Sequence, residues 1–87
     1  MALVWLPSLL RDLADGRESV RVAGTTVGEV IDALEGTYPG FRLSLCQGDQ
    51  LRPGLAVIVD GQIARLGLLE SVGPDSEVHF LPAIAGG

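Results

Sequence analysis

The chain has 87 residues, 47% of them hydrophobic and 20% charged, which is too apolar for disorder and long enough for one modest core. Eleven acids against six cations leave a net charge of −5, the wrong sign for a nucleic-acid surface and better matched to a basic protein partner. No uninterrupted apolar run approaches the ~20 residues of a membrane span. The opening Met1 to Leu6 has no basic leader and meets Pro7 at once, so it reads as a strand and not as a signal peptide. A cytoplasmic protein is expected, and the single cysteine, Cys46, agrees with a reducing compartment.

In chain order, Ala2 to Leu6 is an apolar strand with both faces covered or one face offered to a partner. Pro7 to Leu13 reads as a turn or short helix closing at Asp15-Gly16, and Ser19-Val20-Arg21-Val22 as a second strand antiparallel to the first. Thr26-Val27-Gly28-Glu29 has the spacing of a capping box, in which a hydroxyl and a carboxylate satisfy the first free backbone donors of a helix. Val27, Val30, Ile31, Leu34 and Tyr38 then repeat at helical period, and Gly36 with Pro39-Gly40 stops the helix. Phe41 to Pro53 carries no clear period; it crosses the domain and ends in the turn Arg52-Pro53-Gly54. Leu55 to Val59 is a buried strand, Asp60-Gly61 turns it toward Gln62-Ile63-Ala64, and a turn through Leu68-Leu69-Glu70 leads to a last strand, Glu77 to Leu81. Pro82 is expected to stop its ladder. The order predicts an α+β domain, a mixed sheet packed on one main helix.

The chemistry-bearing residues are few. One histidine and one cysteine cannot assemble a four-ligand zinc site, and no glycine-rich phosphate loop follows a strand. His79 reads as a strand residue with a satisfied ring, Cys46 as a small half-buried side chain, and Glu29, Asp32, Asp12 and Asp15 as cap and solvated surface. No catalytic residue is expected. The end of the chain is different: after Leu81-Pro82 come Ala83-Ile84-Ala85-Gly86-Gly87. A terminus without Cβ atoms can lie extended in a narrow channel and bring an unhindered carboxylate to a nucleotide phosphate or a thiol. All six cations are arginine, so an acyl group activated at Gly87 would meet no lysine amine on its own chain, and guanidinium is not a nucleophile at neutral pH. Strand alternation places Leu3, Trp5, His79 and Leu81 opposite Val4, Leu6, Val78 and Phe80. If the second set covers the helix, the first is an exposed apolar patch beside the tail, a candidate partner-docking site.

The element order with a Gly-Gly tail resembles the β-grasp, or ubiquitin-like, fold. The helix opening Thr26-Val27-Gly28-Glu29-Val30, the turn Val59-Asp60-Gly61, and Glu77-Val78-His79-Phe80-Leu81-Pro82 ahead of Gly86-Gly87 make the chain similar to the MoaD and ThiS family of sulfur carriers. Leu6-Pro7-Ser8-Leu9-Leu10-Arg11 and the closing Leu81 to Gly87 point to the branch that serves cysteine synthesis. The resemblance implies a domain over 1–82 and a functional tail over 83–87. It implies a carrier with no active site and no bound cofactor, whose Gly87 is adenylated by an ATP-using enzyme of the MoeB, ThiF or MoeZ kind. The adenylate would become a thiocarboxylate that hands sulfur to an acceptor synthase for cysteine, molybdopterin or another metabolite, with Gly86, Ala85 and Ile84 threading the tail. No nucleic-acid or membrane partner is expected. Two other classes use the same fold: a protein modifier joined to lysines through Gly87, and an interaction module that works without its tail.

Overall fold

The computed structural model describes residues 1–82, with Pro82 described by its backbone alone. Strands β1 (Ala2–Trp5) and β2 (Ser19–Val22) pair antiparallel, Val4 opposite Val20. They are joined by a 3-10 segment, Ser8–Ala14, that ends at Asp15 in the left-handed region. Helix α1 spans Val27–Thr37. Thr26 caps it, its Oγ1 accepting from the Glu29 amide at 3.2 Å. The Glu29 carboxylate reaches back one residue further than the capping-box reading required, accepting from the amide and the hydroxyl of Thr25, both at 2.8 Å. These two bonds hold the Glu29 carboxyl below its ordinary range. Gly36, expected among the helix-stopping residues, lies inside α1; Tyr38 is the C-cap and Pro39-Gly40 end the run.

The aperiodic stretch after Gly40 holds a second helix, α2 (Phe41–Leu45), and a small hairpin, β3 (Cys46–Gln47) with β4 (Gln50–Leu51). The cap of α2 comes from elsewhere: Glu35 of α1 accepts from the amides of Gly40 and Arg42. Strand β5 (Leu55–Val59) turns through Asp60-Gly61, both at positive φ, into β6 (Gln62–Ile63). Two left-handed residues suit a tight hairpin because their twist matches that of the flanking strands. A single 3-10 turn, Gly67–Leu69, precedes β7 (Glu77–Pro82). Pro82 is itself paired, opposite Leu55, and is the last paired residue among those described, at a strand end where a missing N–H costs little.

The five main strands lie in the order β2-β1-β7-β5-β6. Every neighbouring pair is antiparallel except β1 and β7, which run parallel at the centre. Inward-facing Val4, Leu6, Val57, Val78 and Phe80 meet Val27, Val30, Ile31 and Leu34 of α1, with Phe41 and Leu45 of α2 closing one end. Gly24 lets the β2–α1 link run against the helix, since a Cβ there would come within 2.9 Å of the Val30 amide nitrogen. The structure is the expected β-grasp, enlarged by α2 and the β3–β4 hairpin.

One polar clamp joins the β5–β6 turn to the start of β7. Asp60 accepts from the Ser76 hydroxyl at 2.6 Å and the Glu77 amide at 2.9 Å, and Ser76 Oγ accepts from the Gly73 amide. The Ser76 hydroxyl, then the Glu77 amide, hold the Asp60 carboxyl below its usual range. A depressed folded-state pKa adds stability above the unfolded value, near ~3.9 for Asp, that is lost as the pH falls through the folded value. Urea midpoints measured from pH 6 downward should therefore decline below about pH 4. Asp60→Asn, which keeps tolerance of the left-handed backbone but cannot titrate, should shallow that acid limb; an unchanged limb would remove Asp60 from the account.

Candidate functional site

The side of the sheet away from α1 carries a row that crosses all five strands. In register, Ser19 of β2 faces Trp5 of β1, Trp5 faces His79 of β7, His79 faces Ile58 of β5, and Ile58 faces Ile63 of β6. Beside it, toward the end of β7, Leu81 faces Ala56. Paired residues share a face, so these side chains form one surface. Leu81 and Ile63 are exposed, whereas Leu3, Trp5, Ile58 and His79 are half-buried. Their alternates Val4, Leu6, Val78 and Phe80 are at most 2% accessible. The strand alternation read from sequence thus has the helix-covered set and the outward set as observed.

The centre of this surface is an aromatic stack. The Trp5 indole and the His79 imidazole stack with centroids 5.8 Å apart and planes 11° from parallel, and the indole N–H donates to Glu77 Oε1 at 3.0 Å. That same oxygen is 3.9 Å from His79 Nε2. An amphipathic aromatic held flat, its polar atom already satisfied, offers a broad apolar plane with little conformational entropy to lose on contact. Trp5 is therefore part of the outer surface and not of the core.

Sequence reasoning brought together Leu3, Trp5, His79 and Leu81 but missed Ile58, Ile63 and Ala56. All five residues of β5 are apolar, so hydropathy marks no outward side there. The signal was parity, which needs the β5–β7 register to be read. Cys46 is buried, and burial pushes its thiol up, away from reactivity. Among the described residues no group of three or more His, Cys, Asp or Glu side chains could hold a metal ion, and no helix is long and apolar enough to cross a membrane. The tail sites, Gly87 with Gly86, Ala85 and Ile84, lie outside the described residues.

The family model described as the ThiS family matches residues 4–87, and the chain belongs to that family. It is 34% identical to the sulfur carrier protein CysO of Mycobacterium tuberculosis, over 97% of this chain and 96% of that protein. Among solved structures it is similar to the Amycolatopsis orientalis BexX/CysO complex, with TM-score 0.91 and 32% identity over the full length of both chains. It is also similar to small archaeal modifier protein 1 of Methanosarcina acetivorans, with TM-score 0.79 and 25% identity over 99% of this chain and 95% of that one. The chain is thus a small ubiquitin-like carrier protein rather than an enzyme.

The two faces should separate on mutation. Trp5→Ser and Leu81→Asp should keep cooperative unfolding with a loss of no more than about 1 kcal/mol, as outward substitutions usually do. Val78→Asp, adjacent to outward-facing His79 but buried, should abolish the folded state by placing an unpaired charge in the core. Thermal melts followed by circular dichroism check this, and equal damage from both faces would refute the assignment.

Proposed function

We propose that this carrier is activated at Gly87 and works as a sulfur donor, residues 1–82 serving as the docking domain and 83–87 as the reactive tail. The observation that carries the reading is a Gly-Gly terminus in a ThiS-family chain, five residues beyond the central strand of the sheet. A carboxylate is a poor electrophile. Attack of the Gly87 carboxylate on the α-phosphate of ATP, with pyrophosphate leaving, makes an acyl-adenylate. A persulfide sulfur then displaces AMP at the carbonyl, and a thiol that cleaves the resulting S–S bond leaves the C-terminal thiocarboxylate. ATP belongs to the adenylating enzyme, of the MoeB, ThiF or MoeZ kind, and the carrier binds no cofactor. Sulfur passes from the thiocarboxylate to an acceptor synthase, and likeness to CysO favours cysteine synthesis as the destination.

Docking, in this reading, uses Leu3, Trp5, His79 and Leu81 together with Ile58 and Ile63. The flat Trp5–His79 pair and the exposed Leu81 give the enzyme an apolar surface that ends, in sequence, just ahead of the tail. Likeness to a small archaeal modifier protein favours one second reading, transfer of the Gly87 acyl group to lysines of other proteins. The absence of lysine in this chain would keep either activated form from acylating its own side chains.

With the adenylating enzyme of its source organism, ATP and a persulfide source, the intact protein should gain the mass of sulfur minus oxygen on its C-terminal peptide. Deletion of Gly87 should abolish the gain and leave the melting curve unchanged. An unmodified terminus beside a converting positive control would overturn the proposal, and isopeptide-linked conjugates without thiocarboxylate would favour the modifier. In pyrophosphate exchange, Trp5→Ser should raise KM about tenfold with kcat little changed, since it removes binding that is uniform along the reaction. A fall in kcat alone would mean that Trp5 does not act in docking.

A further inference from the structure

At the end of the sheet where β7 finishes lies a groove of about 600 Å³. Its walls are the 3-10 segment after β1, the end of α2, the Arg52-Pro53-Gly54 turn, and the last residues of β7. The size falls within the ~300–1,000 Å³ typical of pockets that enclose a compact group. Leu6, Leu10, Leu45, Leu55 and Phe80 line its interior, while Leu9 stands 92% exposed at the wall. A leucine that bare in a short, ordered segment contributes little to the fold.

Charge distinguishes this groove from the rest of the surface. The chain carries eleven acidic residues, yet none lines the groove, whereas Arg11, from the 3-10 segment, and Arg52, from the turn before β5, both do. Each arginine is aimed by its own backbone. Arg11 Nε donates to the Leu6 carbonyl at 3.2 Å, and Arg52 Nε donates to the Leu43 carbonyl at 2.8 Å. Neither guanidinium pairs with a carboxylate among the described residues; Arg42 is the arginine that does, with Asp32. Two forks oriented through Nε keep their terminal N–H groups for a carboxylate from outside.

We infer that the groove receives an acidic–apolar segment of the partner enzyme, a leucine or phenylalanine side chain seated among Leu6, Leu10, Leu55 and Phe80 with flanking carboxylates on Arg11 and Arg52. This rests on the reading of the chain as the substrate of a partner enzyme, and it adds a charge-selective contact to the apolar outer face. Trp5, His79 and Leu81 belong to both surfaces, so one partner can cover the two together. The outer face supplies contact area. The arginine pair discriminates, because a partner with basic or neutral residues there would leave two cations desolvated and unmatched.

The first test needs neither ATP nor the enzyme. The 15N-labelled protein is titrated with the peptide Ac-Glu-Asp-Leu-Phe-Asp-Glu-NH2 and with its counterpart Ac-Lys-Lys-Leu-Phe-Lys-Lys-NH2. The acidic peptide should shift the amides of Leu9 to Arg11, Arg52 to Leu55 and Leu81, with the Nε signals of both arginines, and its affinity should fall several-fold between about 0.05 and 0.5 M salt. The basic peptide should leave them in place. Because each arginine also ties down a carbonyl, this peptide contrast on the unaltered protein stands even if variants fold poorly. In the second test, R11Q/R52Q should raise the KM for adenylation about tenfold, as lost charge pairing at an interface does, with kcat unchanged. Equal response to both peptides, or none at millimolar concentration, overturns the inference. So does a groove already occupied by the chain's own terminus, which would show as the same shifts on deleting residues 83–87. If the protein is never adenylated, the proposed function fails and the peptide contrast still decides the groove.

Discussion

The parallel pairing of β1 with β7 is the contact on which the rest depends. It joins the two ends of the chain, Val4 to Val78 and Trp5 to His79, and the bond from the Trp5 indole to Glu77 spans 72 positions of sequence. Parallel neighbours cannot be linked by a tight turn, so the chain between them has to cross over the sheet, and α1 makes that crossing on one face. The opposite face therefore carries no helix among the described residues. The same pairing sets the last strand at the middle of the sheet, between β1 and β5, and not at an edge.

From that arrangement the division of labour between faces follows. The inner face is spent on stability: Val4, Val57, Val78 and Phe80 bury against α1, and each such side chain contributes about 1.5–3 kcal/mol relative to exposure. The outer face stays partly apolar without being needed for the core. Polar work at the seams keeps the frame stiff, with Glu29 bonded to Thr25, Glu35 capping α2, and Asp60 tying the β5–β6 turn to β7. A frame presenting a flat aromatic pair loses little entropy on binding, which suits the docking role proposed for this face.

Much of this was legible in the sequence, for identifiable reasons. Strands β1 and β5 announce themselves as short apolar runs bounded by turns, and β2, β7 and helix α1 through period and local caps; alternation gives the two opposed sets of β1 and β7, and the structure shows which of them faces the helix. The segment after Gly40 was not legible, because α2 takes its cap from Glu35 on a different helix and the β3–β4 strands are two residues each, too short to show a period. Ile58 and Ile63 escaped notice because their place on the outer face depends on the register with His79, a non-local fact. The arginine-lined groove is likewise invisible in one dimension: Arg11 and Arg52, 41 positions apart, reach it only through the tertiary fold. The tail motif was plain to read, and family membership over residues 4–87 supports the class it suggested.

The central claim is that one face of the sheet holds the fold while the other is held by the partner enzyme. Methyl cross-saturation from unlabelled adenylating enzyme onto the labelled carrier measures this directly. The account predicts transfer to the methyls of Leu3, Ile58, Ile63 and Leu81, with Val30, Ile31 and Leu34 unaffected. Saturation centred on the α1 side, or absent from the outer face while the complex is formed, would contradict it.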